Sequence, residues 1–209
     1  MAPRGFFLTF EGGEGGGKST QTQMLADALK KRGRDVVLTR EPGGSPGAEA
    51  IRALLVTGDT QRWDGVTETL LHYAARRDHT MRTVRPALDQ GKLVICDRFA
   101  DSTMAYQGFG HGVDRDAIRA IHQAVLGDFK PDLTLILDLP VEVGLERARK
   151  RGGNETRYEK MGRDFHERLR RGFLAIASKD ATRCVVIDAA RTPEAIHAEI
   201  LEAGLKRLA

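Results

Sequence analysis

The chain carries a glycine-rich octapeptide near its start: Gly12-Gly13-Glu14-Gly15-Gly16-Gly17-Lys18-Ser19. It fits the pattern G-x-x-x-x-G-K-[ST], which binds nucleotide phosphates when it connects a strand to a helix. Apolar residues 6–10 precede it and a helical pattern at residues 20–32 follows it, as the pattern requires. Glycines let successive N–H groups turn toward an anion, and the helix adds the positive end of its dipole.

This loop predicts the binding of ATP or a similar nucleotide. Lys18 would reach the β- and γ-phosphates, and Ser19 would bind Mg²⁺. The expected ATP-binding residues are Gly12, Gly13, Glu14, Gly15, Gly16, Gly17, Lys18, Ser19 and Thr20. The loop alone leaves the class of protein open, because kinases, GTPases, motor ATPases and partner-switching proteins all use it.

Short apolar runs alternate with helical patterns along the chain. The runs are rich in β-branched residues and predict strands at residues 6–10, 35–39, 93–96, 133–139 and 184–187. They are continuous rather than alternating, which is typical of strands buried on both faces of a parallel sheet. Helical patterns lie at residues 20–32, 48–55, 68–90, 116–126, 141–150, 158–178 and 193–208.

This order predicts one doubly wound α/β domain over residues 1–209, with a five-stranded parallel sheet flanked by helices. Ligands bind such sheets at the carboxyl ends of the strands. Pro86 is expected to kink or break the helix at residues 68–90.

Composition favours a cytoplasmic protein without membrane contact. The 41% of hydrophobic residues can fill a core. No apolar run approaches the roughly 20 residues needed to cross a bilayer, and the start lacks the features of an export segment. Cys96 and Cys184 lie in apolar runs without a CxxC spacing. That placement favours two buried thiols over a metal or redox site.

The net charge of +4 is concentrated in one segment. Residues 147–171 contain ten lysines and arginines against four acidic residues, so the rest of the chain is slightly acidic. A surface that follows a nucleic-acid backbone would spread its basic residues more widely. The distribution therefore favours a small bound polyanion over a nucleic-acid partner.

An acidic and a basic residue follow the third predicted strand side by side. Asp97 and Arg98 come directly after residues 93–96. In an ordinary surface loop such a pair contributes little to stability. At the carboxyl end of a buried strand, Asp97 can hold Mg²⁺ or its water shell, and Arg98 can bind phosphate oxygens in bidentate fashion. We therefore predict that both residues are catalytic, together with Lys18.

The longer segment around this pair resembles the signature of thymidylate kinases. It reads Asp97-Arg98-Phe99-Ala100-Asp101-Ser102-Thr103-Met104-Ala105-Tyr106-Gln107. Thr39-Arg40-Glu41-Pro42-Gly43-Gly44 resembles that family's second loop. Pro131-Asp132-Leu133-Thr134 and Asp188-Ala189 extend the similarity over essentially the whole chain.

The resemblance implies a P-loop nucleoside-monophosphate kinase fold with a short lid. It also implies that the γ-phosphoryl group of ATP is transferred to dTMP, giving dTDP and ADP in dTTP biosynthesis, with Mg²⁺ as the cofactor. Members of the family form homodimers through helices packed side by side, and residues 68–90 are one candidate for that face.

The family's acceptor-binding positions can be matched to this chain. Glu14 corresponds to an acidic residue near the 3′-hydroxyl of the acceptor sugar, and Tyr106 to a ring that packs against C2′ and disfavours ribose. Ser102 and Thr103 match positions that read the thymine edge. The implied substrate-binding residues are Glu14, Arg40, Glu41, Pro42, His72, Tyr73, Arg76, Arg98, Ser102, Thr103, Tyr106 and Gln107.

His72 departs from the family's pattern. It falls where the family usually has a phenylalanine that stacks on thymine. A neutral imidazole can stack as well, but with less apolar area. Tyr73 would take this place if the helix were rotated. An acceptor other than dTMP, such as dUMP or a purine monophosphate, therefore stays open.

Residues 147–160 resemble the lid of the family, with a helix end, a Gly-Gly break and a new helix. This chain has Gly15 in its glycine-rich loop and so resembles bacterial members that keep the catalytic arginine in the lid. Arg151 and Arg157 are the candidates for contact with the transferring phosphoryl group, with Arg149 next. Arg147 is expected to lie along the adenine. The alternative to a lid is that these basic residues form a solvent-exposed helix face without a catalytic role.

Two other functional classes fit the sequence less well. A nucleotide-dependent switch or partitioning ATPase often carries an extra lysine early in the loop, where this chain has Gly13. It would also lack an acceptor-binding segment like residues 97–107. An inactive relative kept for binding is disfavoured, because every expected polar position is filled.

Overall fold

The computed structural model describes residues 4–152 and 157–208, and these contain one five-stranded sheet. Its strands are β1 (Phe7–Glu11), β2 (Val36–Arg40), β3 (Leu93–Asp97), β4 (Leu133–Asp138) and β5 (Cys184–Asp188). Every neighbouring pair is parallel, in the order β2-β3-β1-β4-β5. The five predicted strands are confirmed to within one residue at each end. Because β1 and β3 are parallel neighbours, residues 12–19, which follow β1, lie at the same edge of the sheet as Asp97 at the end of β3 and Arg98 directly after it.

Helices cover the sheet. The α-helices in the described residues are α1 (Lys18–Lys30), α2 (Pro46–Val56), α3 (Gly65–His79), α4 (Arg85–Asp89), α5 (Ala100–Thr103), α6 (Arg115–Leu126), α7 (Val141–Arg151), α8 (Arg163–Lys179) and α9 (Pro193–Leu208). Wider π-helical turns follow α3 at Thr80–Val84 and α5 at Met104–Gly110. The doubly wound α/β architecture is therefore confirmed.

The helix predicted at residues 68–90 starts earlier and is interrupted near its end. α3 begins at Gly65 because Asp64 caps it, accepting hydrogen bonds from the N–H groups of Val66 (2.9 Å) and Thr67 (3.0 Å). The π turns precede α4, which has Pro86 in its first turn. Proline is well tolerated at that position of a helix. The interruption expected at Pro86 is thus a stretch of widened turns in front of it.

Two other helix predictions need correction. The helix predicted at residues 158–178 begins only at Arg163, since residues 157–160 form turns that bury Arg157. No helix was predicted within residues 97–108, yet α5 and its π turns lie there and carry most of the signature segment.

Apolar side chains fill the space on both faces of the sheet. In β1, Leu8 and Phe10 pack with α1 and α9, whereas Phe7 on the other face packs with Phe99 and α4. All five residues of β1 are buried, in agreement with the continuous apolar run in the sequence. β1 is therefore a rigid support for the glycine-rich loop that follows it.

Two further expectations can be compared with the structure. Cys96 and Cys184 are free and buried, and burial raises the pKa of both thiols, that of Cys184 to about 12. Within residues 4–152 and 157–208, no helix has the length and apolar character needed to cross a membrane.

Candidate active site

The glycine-rich loop leads directly into α1. Gly17 has a φ of 81° immediately before the helix, a left-handed conformation that favours glycine. Gly15 has a φ of 67°, and a Cβ atom there would lie 2.0 Å from the carbonyl oxygen of Gly144 in α7. A side chain at position 15 would therefore collide with α7, which is a steric reason why this chain has no basic residue there.

Lys18 is buried and folds back over the loop. Its Nζ donates hydrogen bonds to the carbonyl oxygens of Gly12 (3.1 Å) and Gly13 (2.7 Å). Burial, followed by the positive charge of Arg98, lowers the pKa of Lys18 to about 8, although Glu14 opposes the shift. The ammonium group is still charged at neutral pH, and a bound phosphate would offset its lost hydration.

A hydroxyl and a carboxylate meet beside the loop. Ser19 Oγ donates to Asp97 Oδ2 over 2.6 Å, which connects the start of α1 to the end of β3. Oxygen ligands suit Mg²⁺, which takes the rest of its shell from water and phosphate oxygens. In the described part of the chain, no cluster of three or more His, Cys, Asp or Glu residues could hold a metal. Because Ser19 and Asp97 offer oxygen atoms at one point, the pair fits a magnesium ion that takes its other ligands from water and a nucleotide.

Arg98 connects the loop to the other half of the site. Its Nη1 donates to the carbonyl oxygen of Gly12 (3.0 Å) and to Ser102 Oγ (3.2 Å), and its Nη2 donates to Glu14 Oε1 (3.1 Å). The guanidinium carbon lies 5.0 Å from the ring centroid of Tyr106. Among the described non-glycine residues, only Arg98 has a positive φ, 72°. That conformation costs about 1–2 kcal/mol, so the surrounding contacts must hold it in place.

Glu14 is held as an anion by its neighbours. The Tyr106 hydroxyl donates to Glu14 Oε1 over 2.5 Å, and the same oxygen accepts the hydrogen bond from Arg98. Burial alone would raise the pKa of Glu14, but Arg98, Lys18 and the Tyr106 hydroxyl outweigh it and lower the pKa to about 2. The carboxylate therefore fixes Arg98 and Tyr106 relative to the loop.

Arg76 lies buried in the opposite wall. Its Nε donates to Glu41 Oε2 (2.8 Å) and its Nη2 donates to the carbonyl oxygen of Phe99 (3.0 Å). Its guanidinium carbon lies 4.7 Å from the ring centroid of Tyr73 and 5.4 Å from that of Phe99. Nη1 is buried and has no hydrogen-bond partner among the described residues. A charged donor without a partner in such a wall indicates a position that contacts a ligand.

The second predicted loop forms the rim of the site. Glu41 is buried, and Nδ1 of His79 lies 2.9 Å from its Oε1. Pro42 follows Glu41 through a cis peptide bond. Arg40 is exposed and forms an ion pair with Glu49 of α2 (3.2 Å). All three residues of the Arg40-Glu41-Pro42 run line the cleft, and their role in substrate binding stays a prediction.

Of the two ring residues predicted on α3, His72 lines the cleft and Tyr73 does not. His72 Nε2 lies 3.0 Å from the hydroxyl of Tyr158, another cleft residue. Burial, followed by the charge of Arg76, lowers the pKa of His72 to about 3, so the ring is neutral at physiological pH. Tyr73 points to α6, and its hydroxyl lies 3.3 Å from His122 Nδ1. Its predicted role in acceptor binding does not agree with this position.

The helical segment that starts with α5 presents Ser102, Tyr106 and Gln107 to the cleft. Gln107 Nε2 donates to Glu68 Oε1 (2.7 Å), while its Oε1 is buried without a partner among the described residues. Thr103 differs from the prediction, because it is 1% exposed and does not contribute to the cleft lining. Neighbouring helix positions differ by about 100° in direction, so the residue after Ser102 faces the protein interior.

One cleft of about 620 Å³ joins the glycine-rich loop, Arg98 and the wall that contains Arg76. Small-molecule sites commonly occupy about 300–1,000 Å³. The cleft lies at the carboxyl ends of β1 and β3, where ligands bind in parallel sheets. Its size and its buried cations suit two phosphorylated ligands placed side by side.

Comparisons with known proteins agree with this geometry. A family model described as thymidylate kinase matches residues 10–200. The chain belongs to the thymidylate kinase family. The thymidylate kinase of Caulobacter vibrioides is 59% identical, over 98% of this chain and 98% of that protein. The thymidylate kinase of Ruegeria pomeroyi is 50% identical, over 100% of this chain and 98% of that protein.

A solved structure supports the same assignment. The crystal structure of thymidylate kinase from Ehrlichia chaffeensis matches with a TM-score of 0.78 and 37% sequence identity. The match covers 96% of this chain and 99% of that chain. The resemblance seen in the signature segment is confirmed, and so is the P-loop nucleoside-monophosphate kinase fold.

Residues 153–156 of the predicted lid lie outside the described residues. The structure places the four lid arginines as follows. Arg147 lines the cleft and donates to the carbonyl oxygens of Ala189 (2.7 Å) and Ala190 (3.2 Å), just after β5. Arg151 also lines the cleft, and its Nη2 donates to Glu159 Oε1 (2.5 Å). Arg149 is exposed and does not contribute to the lining.

Arg157 does not face the cleft, which contradicts its predicted contact with the transferring phosphoryl group. It is 1% exposed and forms a buried ion pair with Glu68. Its Nε, Nη1 and Nη2 donate to the carbonyl oxygens of Asp59 (2.9 Å), Leu55 (3.2 Å) and Thr60 (3.0 Å). Arg157 therefore holds residues 55–60 against α3. Of the two arginines Arg151 and Arg157 that were predicted to contact the transferring phosphoryl group, Arg151 lines the cleft.

Two acidic residues of the site were missed in the sequence. Glu68 is fully buried and contacts both Gln107 and Arg157, but in sequence it is an ordinary acidic residue in the first turn of a helix. Glu11 is fully buried at the end of β1 and accepts hydrogen bonds from the segment after β3. An acidic residue that ends an apolar strand needs a partner, and this signal could have identified Glu11.

Proposed function

We propose that this thymidylate kinase transfers the γ-phosphoryl group of ATP to dTMP, giving ADP and dTDP, in the cleft between the glycine-rich loop and α5. One observation carries the assignment: Arg98 contacts the loop at Gly12 and Glu14 and the acceptor side at Ser102. Phosphates bound on the two sides would meet at its guanidinium group. Relatives named thymidylate kinase, among them one that is 59% identical over 98% of the chain, support dTMP as the acceptor.

The proposed reaction is a direct in-line transfer. A phosphate oxygen of dTMP bonds to the γ-phosphorus while the bond from that phosphorus to the β–γ bridging oxygen breaks, and the electron pair leaves with ADP. The acceptor phosphate is a dianion near neutral pH, so no strong general base is required. Catalysis then depends on positioning and on the stabilisation of negative charge.

Cationic side chains are proposed to supply that stabilisation. Lys18, at the base of the loop, would contact the β- and γ-phosphates, and Arg98 would contact the acceptor phosphate and the transferring group. Arg151 lines the cleft and is proposed to contact the transferring group from the lid, with Arg149 as the second candidate. Arg147 lies beside the loop after β5 and is proposed to lie along the adenine.

The Ser19–Asp97 pair is proposed to hold Mg²⁺ directly or through its water shell. When bound, the ion neutralises charge on the nucleotide phosphates. The hydrogen bond between Ser19 Oγ and Asp97 Oδ2 shows that both oxygens reach one point beside the loop. Removal of free Mg²⁺ with a chelator should therefore abolish turnover while the fold persists.

The acceptor base is proposed to lie against α3 and α5. Arg76 Nη1 offers a buried donor and Gln107 Oε1 a buried acceptor, and neither has a partner among the described residues. His72, a neutral ring in the cleft wall, is proposed to stack on the base, and Tyr106 to pack against the sugar. dUMP lacks only the methyl group of thymine, worth about 1–3 kcal/mol in a hydrophobic pocket, so dUMP is the nearest alternative acceptor.

A homodimer is proposed through α3 and the turns that follow it. Val66 and Leu70 are separated by four positions on α3 and are 53% and 52% exposed, and Met81 beyond them is 41% exposed. Apolar side chains at this spacing form one stripe on a helix, and a second copy would cover it. Sedimentation equilibrium should give twice the chain mass, whereas a monomer at micromolar concentration would contradict the dimer.

A cytoplasmic location and a single-domain organisation stay predictions.

An acceptor panel tests the proposed function. ADP formation should be followed with purified protein, ATP and Mg²⁺, offering dTMP, dUMP, dCMP, dGMP, AMP or no acceptor. Strong stimulation by dTMP is the expected result. Better activity with another monophosphate would overturn the acceptor, and ATP turnover indifferent to every acceptor would indicate a switch ATPase instead.

A further inference from the structure

Glu11 is a fully buried carboxyl group that the proposed reaction does not use. It ends β1, directly before the glycine-rich loop, and its side chain reaches the segment after β3. Its Oε1 accepts hydrogen bonds from the N–H groups of Phe99 (2.8 Å) and Ser102 (3.3 Å). Its Oε2 lies 2.5 Å from the hydroxyl oxygen of Ser102. These three contacts all go to the segment that carries the catalytic Arg98.

That segment has no cap of its own. α5 begins at Ala100, and Phe99 in front of it has no side-chain oxygen to accept the first N–H groups of the helix. The carboxyl group of Glu11 provides the missing acceptor from a neighbouring strand. β1, the strand that leads into the glycine-rich loop, therefore also fixes the start of α5.

Arg98 is coupled to the same carboxyl group. Its φ of 72° is unfavourable for a residue with a side chain, so contacts on both sides must hold the backbone. The N–H of Arg98 donates to the carbonyl oxygen of Phe10 (2.9 Å), and Glu11 holds the next N–H, that of Phe99. Arg98 Nη1 also donates to Ser102 Oγ, the atom beside Glu11 Oε2. A displaced carboxyl group would release the backbone and the guanidinium together.

We propose that Glu11 is a positioning residue for phosphoryl transfer, whose carboxyl oxygens hold the Phe99 and Ser102 N–H groups where they aim the Arg98 guanidinium at the two phosphates. This role rests on the proposed function and adds a residue that touches neither ligand. These contacts are hydrogen bonds, which form only if the side chain is long enough to reach the segment after β3. The length of the side chain is therefore required for the positioning role, and a negative charge is not.

The electrostatics of the site agree with a role that needs no charge. Burial, with Asp101 adding to the effect, raises the pKa of Glu11 to about 8, although the Ser102 hydroxyl and Arg98 oppose the shift. The carboxyl group is therefore largely protonated at neutral pH. A glutamine has the same length, keeps an oxygen for the two N–H groups and offers a donor to the Ser102 hydroxyl.

Two substitutions of Glu11 separate the length of its side chain from its ability to ionise. Glu11→Gln keeps the length of the side chain but cannot ionise, whereas Glu11→Asp keeps a carboxyl group and shortens the side chain by one methylene. Misplacing a catalytic group by about 1 Å can cost about 10²-fold in rate. We therefore expect kcat with dTMP to fall about 10²-fold in Glu11→Asp and to stay within about threefold in Glu11→Gln. KM for ATP should change less than about twofold in both, since the glycine-rich loop binds phosphates with its own N–H groups.

Thr9→Val provides the matched control. Thr9 is as buried as Glu11, lies on the same face of β1 and bonds Thr134 (2.8 Å) instead of the segment after β3. Below its melting temperature it should keep the wild-type kcat. Wild-type activity in Glu11→Asp, an equal loss in Glu11→Gln, or an equal loss in Thr9→Val would each overturn the positioning role. A wild-type protein without dTMP-dependent turnover would instead overturn the proposed function.

Discussion

Replacing Arg157 by methionine should destabilise this thymidylate kinase by about 3–5 kcal/mol, because it leaves an uncompensated buried charge. Arg157 is paired with Glu68, whose side chain is fully buried, and its other donors bind three carbonyl groups of residues 55–60. Methionine is flexible and fills much of the vacated space, so the loss of packing is small. Most of the expected loss therefore arises from the Glu68 carboxylate.

Urea unfolding measures this free energy directly. Arg149→Met is the matched control, because Arg149 is an exposed arginine of the same segment and its loss should stay within about 0.5 kcal/mol. Adding Glu68→Gln to Arg157→Met should restore about 1 kcal/mol or more, since it removes the unpaired charge. In a chain of this size, each kcal/mol lowers the melting temperature by about 2–4 °C, so Arg157→Met should melt at least about 6 °C lower.

Two results would refute this reasoning. Unchanged stability together with a fall in kcat of about 10³-fold or more would assign Arg157 to the transferring phosphoryl group. A double variant that is less stable than Arg157→Met would show that the buried charge of Glu68 is not the cause of the loss.

Three more substitutions or conditions test the site. Arg151→Ala should lower kcat with dTMP by about 10³-fold or more in steady-state assays, whereas Arg149→Ala should cost less than about tenfold; equal effects would contradict the assignment of Arg151. Because the lowered pKa of Lys18 is about 8, the ammonium is charged below that pH and loses its proton above it. The kcat/KM for ATP should therefore fall as the pH rises through about 8, and a flat profile to pH 10 would contradict the shift. Gly15→Ala should destabilise the protein by about 2 kcal/mol or more in urea, because of its positive φ and the close carbonyl of α7, whereas Gly13→Ala has open space around it.

The sheet and the phosphate side of the site could be predicted from the sequence because their signals are local. Residues 12–19 specify their own loop, since the glycines, the lysine and the helix start are consecutive in the chain. The strands are continuous apolar runs, and parallel pairing then places Asp97 and Arg98 beside that loop. Backbone geometry alone links these residues, so no distant partner had to be known.

The errors concern residues whose role depends on a distant partner or on helix rotation. Arg151 and Arg157 flank the same Gly-Gly break and look equivalent in sequence, but the partner of Arg157 is Glu68, far away in the chain. His72 and Tyr73 are adjacent, and only packing against α6 determines which ring turns away from the cleft. Such contacts arise from tertiary packing and leave no pattern in a single sequence.

The most direct test of the mechanism is the fate of a labelled γ-phosphoryl group. Purified protein should be incubated with Mg²⁺, dTMP and ATP labelled at the γ-phosphorus, and the nucleotides then separated. Direct transfer predicts labelled dTDP in a one-to-one ratio with ADP and almost no labelled inorganic phosphate. Label appearing mainly as inorganic phosphate, with dTMP unchanged, would contradict transfer between two nucleotides in this cleft.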